Sequence, residues 1–299
     1  MAAQVRIPRR ANLPAAAAAG LLAATAGLLS TVAWAQPAPA SPVAAPVAAA
    51  ARPALSYTDI VDLAQAAELV LRVVIKNQRV VPPERAPDLA TGQARLYLRA
   101  ETQALLGGAG PVGSQHAFLA DVPLDARGRR PDLKDGVYLL FARRVPGRPG
   151  ELQLAGRGAM QAFDTVLEGR VRTVLTQLVQ GERPPQITGV REAISVPGNL
   201  AGESETQIFL RTEGGAPVSL SIIRRPGMAP SWGVSWSEIV DQSARPPAPE
   251  TLHWQMLACN LPADLPDTAF LQRDVASRTR AREDYAFVRR ELGNCGRTL

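Results

Sequence analysis

Cysteine is nearly missing from this chain, with only Cys259 and Cys295, and histidine and lysine are as scarce, at His116 and His253 and at Lys76 and Lys134. Each shortage excludes something. The histidines lie far apart in sequence, and neither has a second histidine or a cysteine close by, so the compact ligand sets of a zinc site are not available and no metal is expected. No G-x-S-x-G elbow and no H-E-x-x-H helix occurs, which removes the local signatures of serine hydrolases and zinc proteases and leaves no catalytic residue to assign. Gly108, Gly110 and Gly113 match the spacing of a dinucleotide loop. That loop works by aiming a helix N-terminus at a pyrophosphate, whereas Gln115 to Leu119 reads as a strand. A glycine hairpin is the better account, and no cofactor is expected.

Aromatic residues make up only 5% of the chain. The arginine runs Arg127 to Arg130, Arg143-Arg144, Arg224-Arg225 and Arg289-Arg290 therefore have no interleaved stacking set, and nucleic acid is not an expected partner. With 33 Lys plus Arg and only two Lys, the basic side chains are almost all Arg. This usage reads as coding bias and solvated surface.

Residues 1–35 carry Arg6, Arg9 and Arg10 ahead of an Ala/Leu-rich run that closes on Ala33-Trp34-Ala35. A basic start, an apolar stretch and a small-x-small site read as a secretory signal peptide, with the mature chain starting at Gln36. No long apolar stretch follows it, so no transmembrane segment is expected after cleavage. The segment 36–55 is mostly Pro, Ala and Val, a tether that cannot bury a core. Because an exported chain meets an oxidising compartment, the two cysteines are expected to form a Cys259–Cys295 disulfide.

The expected mature chain is organised around Ala94 to Leu106. Leu96, Leu98 and Ala100 alternate with Arg95, Tyr97 and Arg99, the period-two pattern of a strand with one face on a core and one in water. At about 3.3 Å per residue it spans roughly 40 Å, so it must bend, coil or serve two layers, as strands of small barrels do. Around it the sequence predicts a helix from a Ser56/Asp59 capping box, strands at 68–76, 115–122, 137–144 and from 151 to 155 or beyond, and a helix started by Thr165 with Glu168 and stopped by Gly181.

Helix, five strands, helix is the order of a small OB-type barrel, and the run Gly136, Tyr138, Leu139, Leu140, Phe141 fits it. Residues 56–183 on this basis resemble netrin-like and tissue-inhibitor-like OB modules, without the disulfides common there. The mature chain as a whole is similar to a family of uncharacterised exported bacterial proteins, through the stretches Gly202 to Leu210 and Leu257-Ala258-Cys259. The likeness implies export and no particular activity.

Pro184-Pro185 marks a boundary, and residues 186–299 predict a second domain: strands at 187–196, 206–212, 218–224 and 232–240, then helices at 252–261 and 281–292. The fold class is therefore mainly β, or α+β. It combines an OB-like five-stranded barrel with flanking helices, a small antiparallel sheet and a disulfide-stapled helical tail.

Two pairs in this half are candidate sites. Glu203 and Glu205 could share a strand face as two glycosidase carboxylates do, or simply solvate a turn. Trp232 and Trp236 fall on one face of a predicted strand; exposed, they form a platform for a sugar ring or apolar peptide, and buried, they are core. The expected function is an exported, non-catalytic binding or envelope-associated protein, periplasmic or secreted, whose partner is an envelope protein or glycan. The alternatives are a cell-envelope hydrolase using Glu203 and Glu205 and a purely structural interaction module.

Overall fold

The computed structural model describes residues 55–299 except 182, 240 and 242. The expected signal peptide, its cleavage site and nearly all of the expected 36–55 tether lie outside the described residues. The first element, α1 (Tyr57–Ala66), opens on the expected capping box: Ser56 Oγ accepts from the Asp59 amide, and Asp59 accepts in return from the Ser56 amide. Ile60, Val61 and Leu63 are buried, each worth about 1.5–3 kcal/mol on leaving water.

Five strands then close a barrel: β1 (Leu69–Val80), β2 (Gln93–Gly108), β3 (Gln115–Pro123), β4 (Val137–Arg144) and β5 (Glu151–Leu154). The order β1-β2-β3-β5-β4 returns to β1 through a direct β1–β4 ladder. Irregularities in the β1–β2 register after Val70, Arg72 and Ile75 supply the bends that strands of this length require. The inner face carries Leu71, Val73, Ile75, Leu96, Leu98, Phe118 and Leu140. Val70, Leu139 and Phe141 point outward and are covered by α1 and by α2 (Thr165–Gln180), so the first half of β1 and most of β4 are buried on both faces.

Two local readings need correction. The fifth strand stops at Leu154, and Met160–Ala162 forms a separate short strand, β6, paired with β4. The cap of α2 is Asp164, whose side chain accepts from the Val166 amide, and not a Thr165/Glu168 box. Glu168 is turned inward instead and held by Arg72 at 2.9 Å and Arg172 at 2.8 Å. Burial pushes its pKa up, but those two guanidiniums outweigh it and hold the carboxyl below its usual range.

The second sheet runs β10-β9-β8-β7, with β7 (Ile187–Pro197), β8 (Ser204–Thr212), β9 (Ser219–Arg224) and β10 (Ser231–Ser235). One face packs on α3 (Leu252–Asn260) and α4 (Val275–Leu292), burying Ile208, Leu220, Leu257, Tyr285 and Val288. The strand predicted to reach Val240 ends at Ser235. Val240 itself lies outside the described residues. No helix among the described residues is long and apolar enough to cross a membrane.

The chain end is tied back to the chain start. Cys259 in α3 is bonded to Cys295 beyond α4, and Thr58 of α1 donates to the Cys295 carbonyl at 2.7 Å. Thr298 donates to Asp59 through both its amide and its hydroxyl, while Arg297 pairs with Asp62 at 2.7 Å. These contacts explain why Thr58 and Asp59 are buried on the side of α1 away from the barrel.

Reduction should therefore cost about 2–4 kcal/mol, the usual value of a native bridge, and loosen residues 293–299. Mass analysis of unreduced protein should find no alkylatable thiol; two free thiols in exported protein would overturn the stapled tail.

Asp59 adds a pH dependence. Burial raises its pKa, but the hydrogen bonds from Thr298 and Ser56 outweigh that and leave it lowered. A carboxylate depressed in the fold stabilises fully above its unfolded pKa of about 3.9 and less as pH falls through the folded value. Denaturant midpoints should drop between pH 5 and pH 2, and by less in Asp59→Asn. An equal drop in both proteins would show that Asp59 plays no part.

Candidate functional site

The barrel exterior carries an open groove. Tyr97 of β2 and Leu119 of β3 are direct cross-strand partners on the outer face. Leu119 is 48% exposed, an apolar side chain turned to water on a strand that otherwise buries its hydrophobes. Beside them β3 pairs in parallel with β5, at Ala117–Glu151 and Phe118–Leu152 only. Beyond Phe118 the two strands part. The groove that results is about 450 Å³, floored by Ala117, Leu119 and Gln153, and walled by Val145 and Arg148 of the β4–β5 turn.

This face is rigid at its far end. Arg95, two residues before Tyr97, grips Asp121 of β3 through Nε at 2.7 Å and Asp88 of the β1–β2 connection at 2.8 Å. These hydrogen bonds, from Arg95 above all, hold the Asp88 carboxyl below its ordinary pKa. One arginine thus locks a loop onto two strands next to the groove.

A second, wider cleft of about 600 Å³ opens at one mouth of the barrel, between Val80 and Ala94 and the turn Leu124–Asp132. Its lining carries charges of both signs. Arg129 pairs with Asp125 at 3.0 Å, and Arg130 stands in the same lining as Asp132.

The residues singled out from sequence are elsewhere. Trp232 lies opposite Ile222 in the β9–β10 ladder and is buried in the second core. Trp236 lies beyond the end of β10, half-buried, with its ring edge-on to His253 at 4.7 Å between centroids. The two indoles share no exposed platform. Glu203 folds back on its own turn, where its carboxylate accepts from the Leu200 amide and its carbonyl from the Gly198 amide. Glu205, on β8, accepts from the Gln207 side chain. Neither glutamate lines either cleft; Glu203 is engaged in its turn and Glu205 with Gln207 on its own strand.

His116 is buried at the barrel mouth opposite the wide cleft. Among the described residues, no group of three or more His, Cys, Asp or Glu is placed to hold a metal.

Sequence reading placed Tyr97 on the polar face of its strand but had no means of finding Leu119 beside it, since cross-strand register is not local. No family model matches the chain, and no curated protein matches it either.

Proposed function

We propose that this chain is an exported, non-catalytic binding protein whose barrel face β2–β3–β5 receives an envelope component, protein or glycan. The observation that carries the reading is the Tyr97–Leu119 pair, a half-buried tyrosine beside an exposed leucine at the edge of an open groove on the outer face of the barrel. Arg148 on the rim adds a donor for carbonyl, hydroxyl or carboxylate groups. Small barrels of this strand order use the same face and its flanking loops to hold extended polymers, a support by likeness of fold alone. Placement in the periplasm or outside the cell is supported by the signal-peptide pattern and by the Cys259–Cys295 bond.

The test is co-sedimentation of purified protein with envelope fractions, run separately for protein-rich and glycan-rich material. Leu119→Glu and Tyr97→Ala should weaken binding tenfold or more, as interface anchors do, at roughly unchanged thermal midpoint. A variant with both Glu203→Gln and Glu205→Gln should bind like the wild type. Undiminished binding by Leu119→Glu would remove the groove from the reading. Turnover of an envelope polymer that vanishes in the double Gln variant would replace binding with hydrolysis.

A further inference from the structure

His116 is the most unusual titratable group in the barrel. It shares the inner face of β3 with Phe118, Ala120 and Val122 and is only 7% exposed. Neither ring nitrogen has a partner within hydrogen-bond geometry. A neutral imidazole without partners is tolerable in such a site, but an imidazolium is not, because burial of an uncompensated charge costs far more than burial of a neutral ring.

The surroundings offer no anion to receive the proton's charge. Arg144 of β4 acts on the ring with the same sign a protonated ring would have. Just before β1, Glu68 is engaged with Arg144 at 3.8 Å. Glu101 of β2 is exposed and paired with Lys76, and Glu151 of β5 is paired with Arg148. The backbone of Gly113 and of Gly150 acts on the ring in the opposite sense, favouring the charged form, but burial outweighs it. Both the burial and Arg144 lower its affinity for a proton, so it charges only below its ordinary range.

What covers the ring is the glycine-rich connection between β2 and β3. The position a Cβ would take on Gly113 is 3.7 Å from His116 Cε1, so the loop lies directly on the imidazole. Gly108 ends β2, fixed in the ladder opposite Leu69, and just beyond it Gly110 holds φ of 83°, a conformation that costs glycine nothing and lets the loop hinge there. Few bonds keep it down. Thr102 donates to the Gly113 carbonyl and, through its amide, to that of Ser114, both at 2.9 Å, and Arg144 donates to Ala109 at 2.7 Å.

We propose that residues 109–114 form an acid-opened lid over His116, which closes one mouth of the barrel while the imidazole is neutral and lifts when it takes a proton. Protonation places two like charges, His116 and Arg144, under one loop. Lifting the loop lets water solvate the ring, exposes the apolar mouth beneath and withdraws the lid's own Val112, which packs on the barrel core when closed. A histidine with a pKa depressed in the closed state stabilises closure fully above its unfolded value of about 6.5 and progressively less as pH falls toward the closed-state value. Each unit of depression shifts the open-to-closed ratio by up to about tenfold.

The experiment is an NMR titration of the full folded chain from pH 7.5 to 4.5, following the His116 ring and the amides of residues 109–114 that carry one. Ring and loop should titrate with one midpoint below 6.5, while amides on β7–β10 stay unmoved. In His116→Phe, which fills the site without a titratable group, the loop transition should disappear. A loop that stays still while His116 titrates would overturn the proposal, and so would a loop transition that persists in the Phe variant. If His116→Phe does not fold, the coincidence of ring and loop midpoints in the wild type decides alone.

Discussion

Replacing Asp284 by alanine is expected to lower stability by about 3–5 kcal/mol, the cost of leaving the partners of a buried charge uncompensated. Asp284 is on α4 and has no exposed surface. Its carboxylate accepts from Arg224 at the end of β9 and from Thr206 on β8, and the Thr206 hydroxyl is also hydrogen-bonded to Ser195 on β7. Since the single Thr206 hydroxyl proton goes to the carboxylate, Ser195 is the donor in their shared hydrogen bond, and the helix is joined to two strands directly and to a third through Thr206. Thr206 and Ser195 are as fully buried as Asp284, while Arg224 keeps its outer edge in water.

Alanine would leave a desolvated guanidinium and hydroxyl without an acceptor. At about 2–4 °C per kcal/mol for a chain of this size, the thermal midpoint should fall by roughly 6–20 °C. Combining Asp284→Leu, Arg224→Leu and Thr206→Val should recover much of the loss, because removing a buried polar set whole costs less than breaking it. A midpoint within about 2 °C of wild type for Asp284→Ala, less than 1 kcal/mol on the same conversion, would show that the network carries no stability.

Trp232→Ala is expected to cost about 3–5 kcal/mol, the range for deleting a buried indole, and Trp236→Ala much less. Trp232 is 7% exposed and belongs to the second core with Ile222 and Val234, whereas Trp236 is half-buried and touches that core from outside. The thermal midpoints of the two variants, measured side by side, test the assignment. A larger drop for Trp236→Ala would reverse the roles. Loss of envelope binding by Trp236→Ala at an unchanged midpoint would return that residue to the binding surface.

The outcome for the two tryptophans turns on a backbone contact no pattern announces. Trp232 and Trp236 have strand spacing, but β10 stops at Ser235. Ala244 comes back over Gly233 so closely that a Cβ there would collide with its carbonyl. The Asp241 amide then binds Ser235 Oγ. The returning chain ends the strand and takes Trp236 out of its face.

What the sequence by itself determined is local and periodic. Alternation in Ala94 to Leu106 placed β2 and its inner face, the Ser56/Asp59 box placed the start of α1, and Gly181 and Gly293 marked the ends of α2 and α4. With only two cysteines there was only one possible intramolecular bridge. The tertiary structure alone decided which neighbours those elements have. It set the parallel β3–β5 contact that opens the groove beside Leu119 and drew Glu168 away from its predicted cap to Arg72 and Arg172. It buried Asp284 against residues 60 and 78 positions earlier in the chain and laid the glycine loop over His116. The physical reason is range. Backbone preference and hydrophobic period act within one turn or one strand pair, whereas burial of charge and the shape of a groove depend on register between segments that meet only after folding.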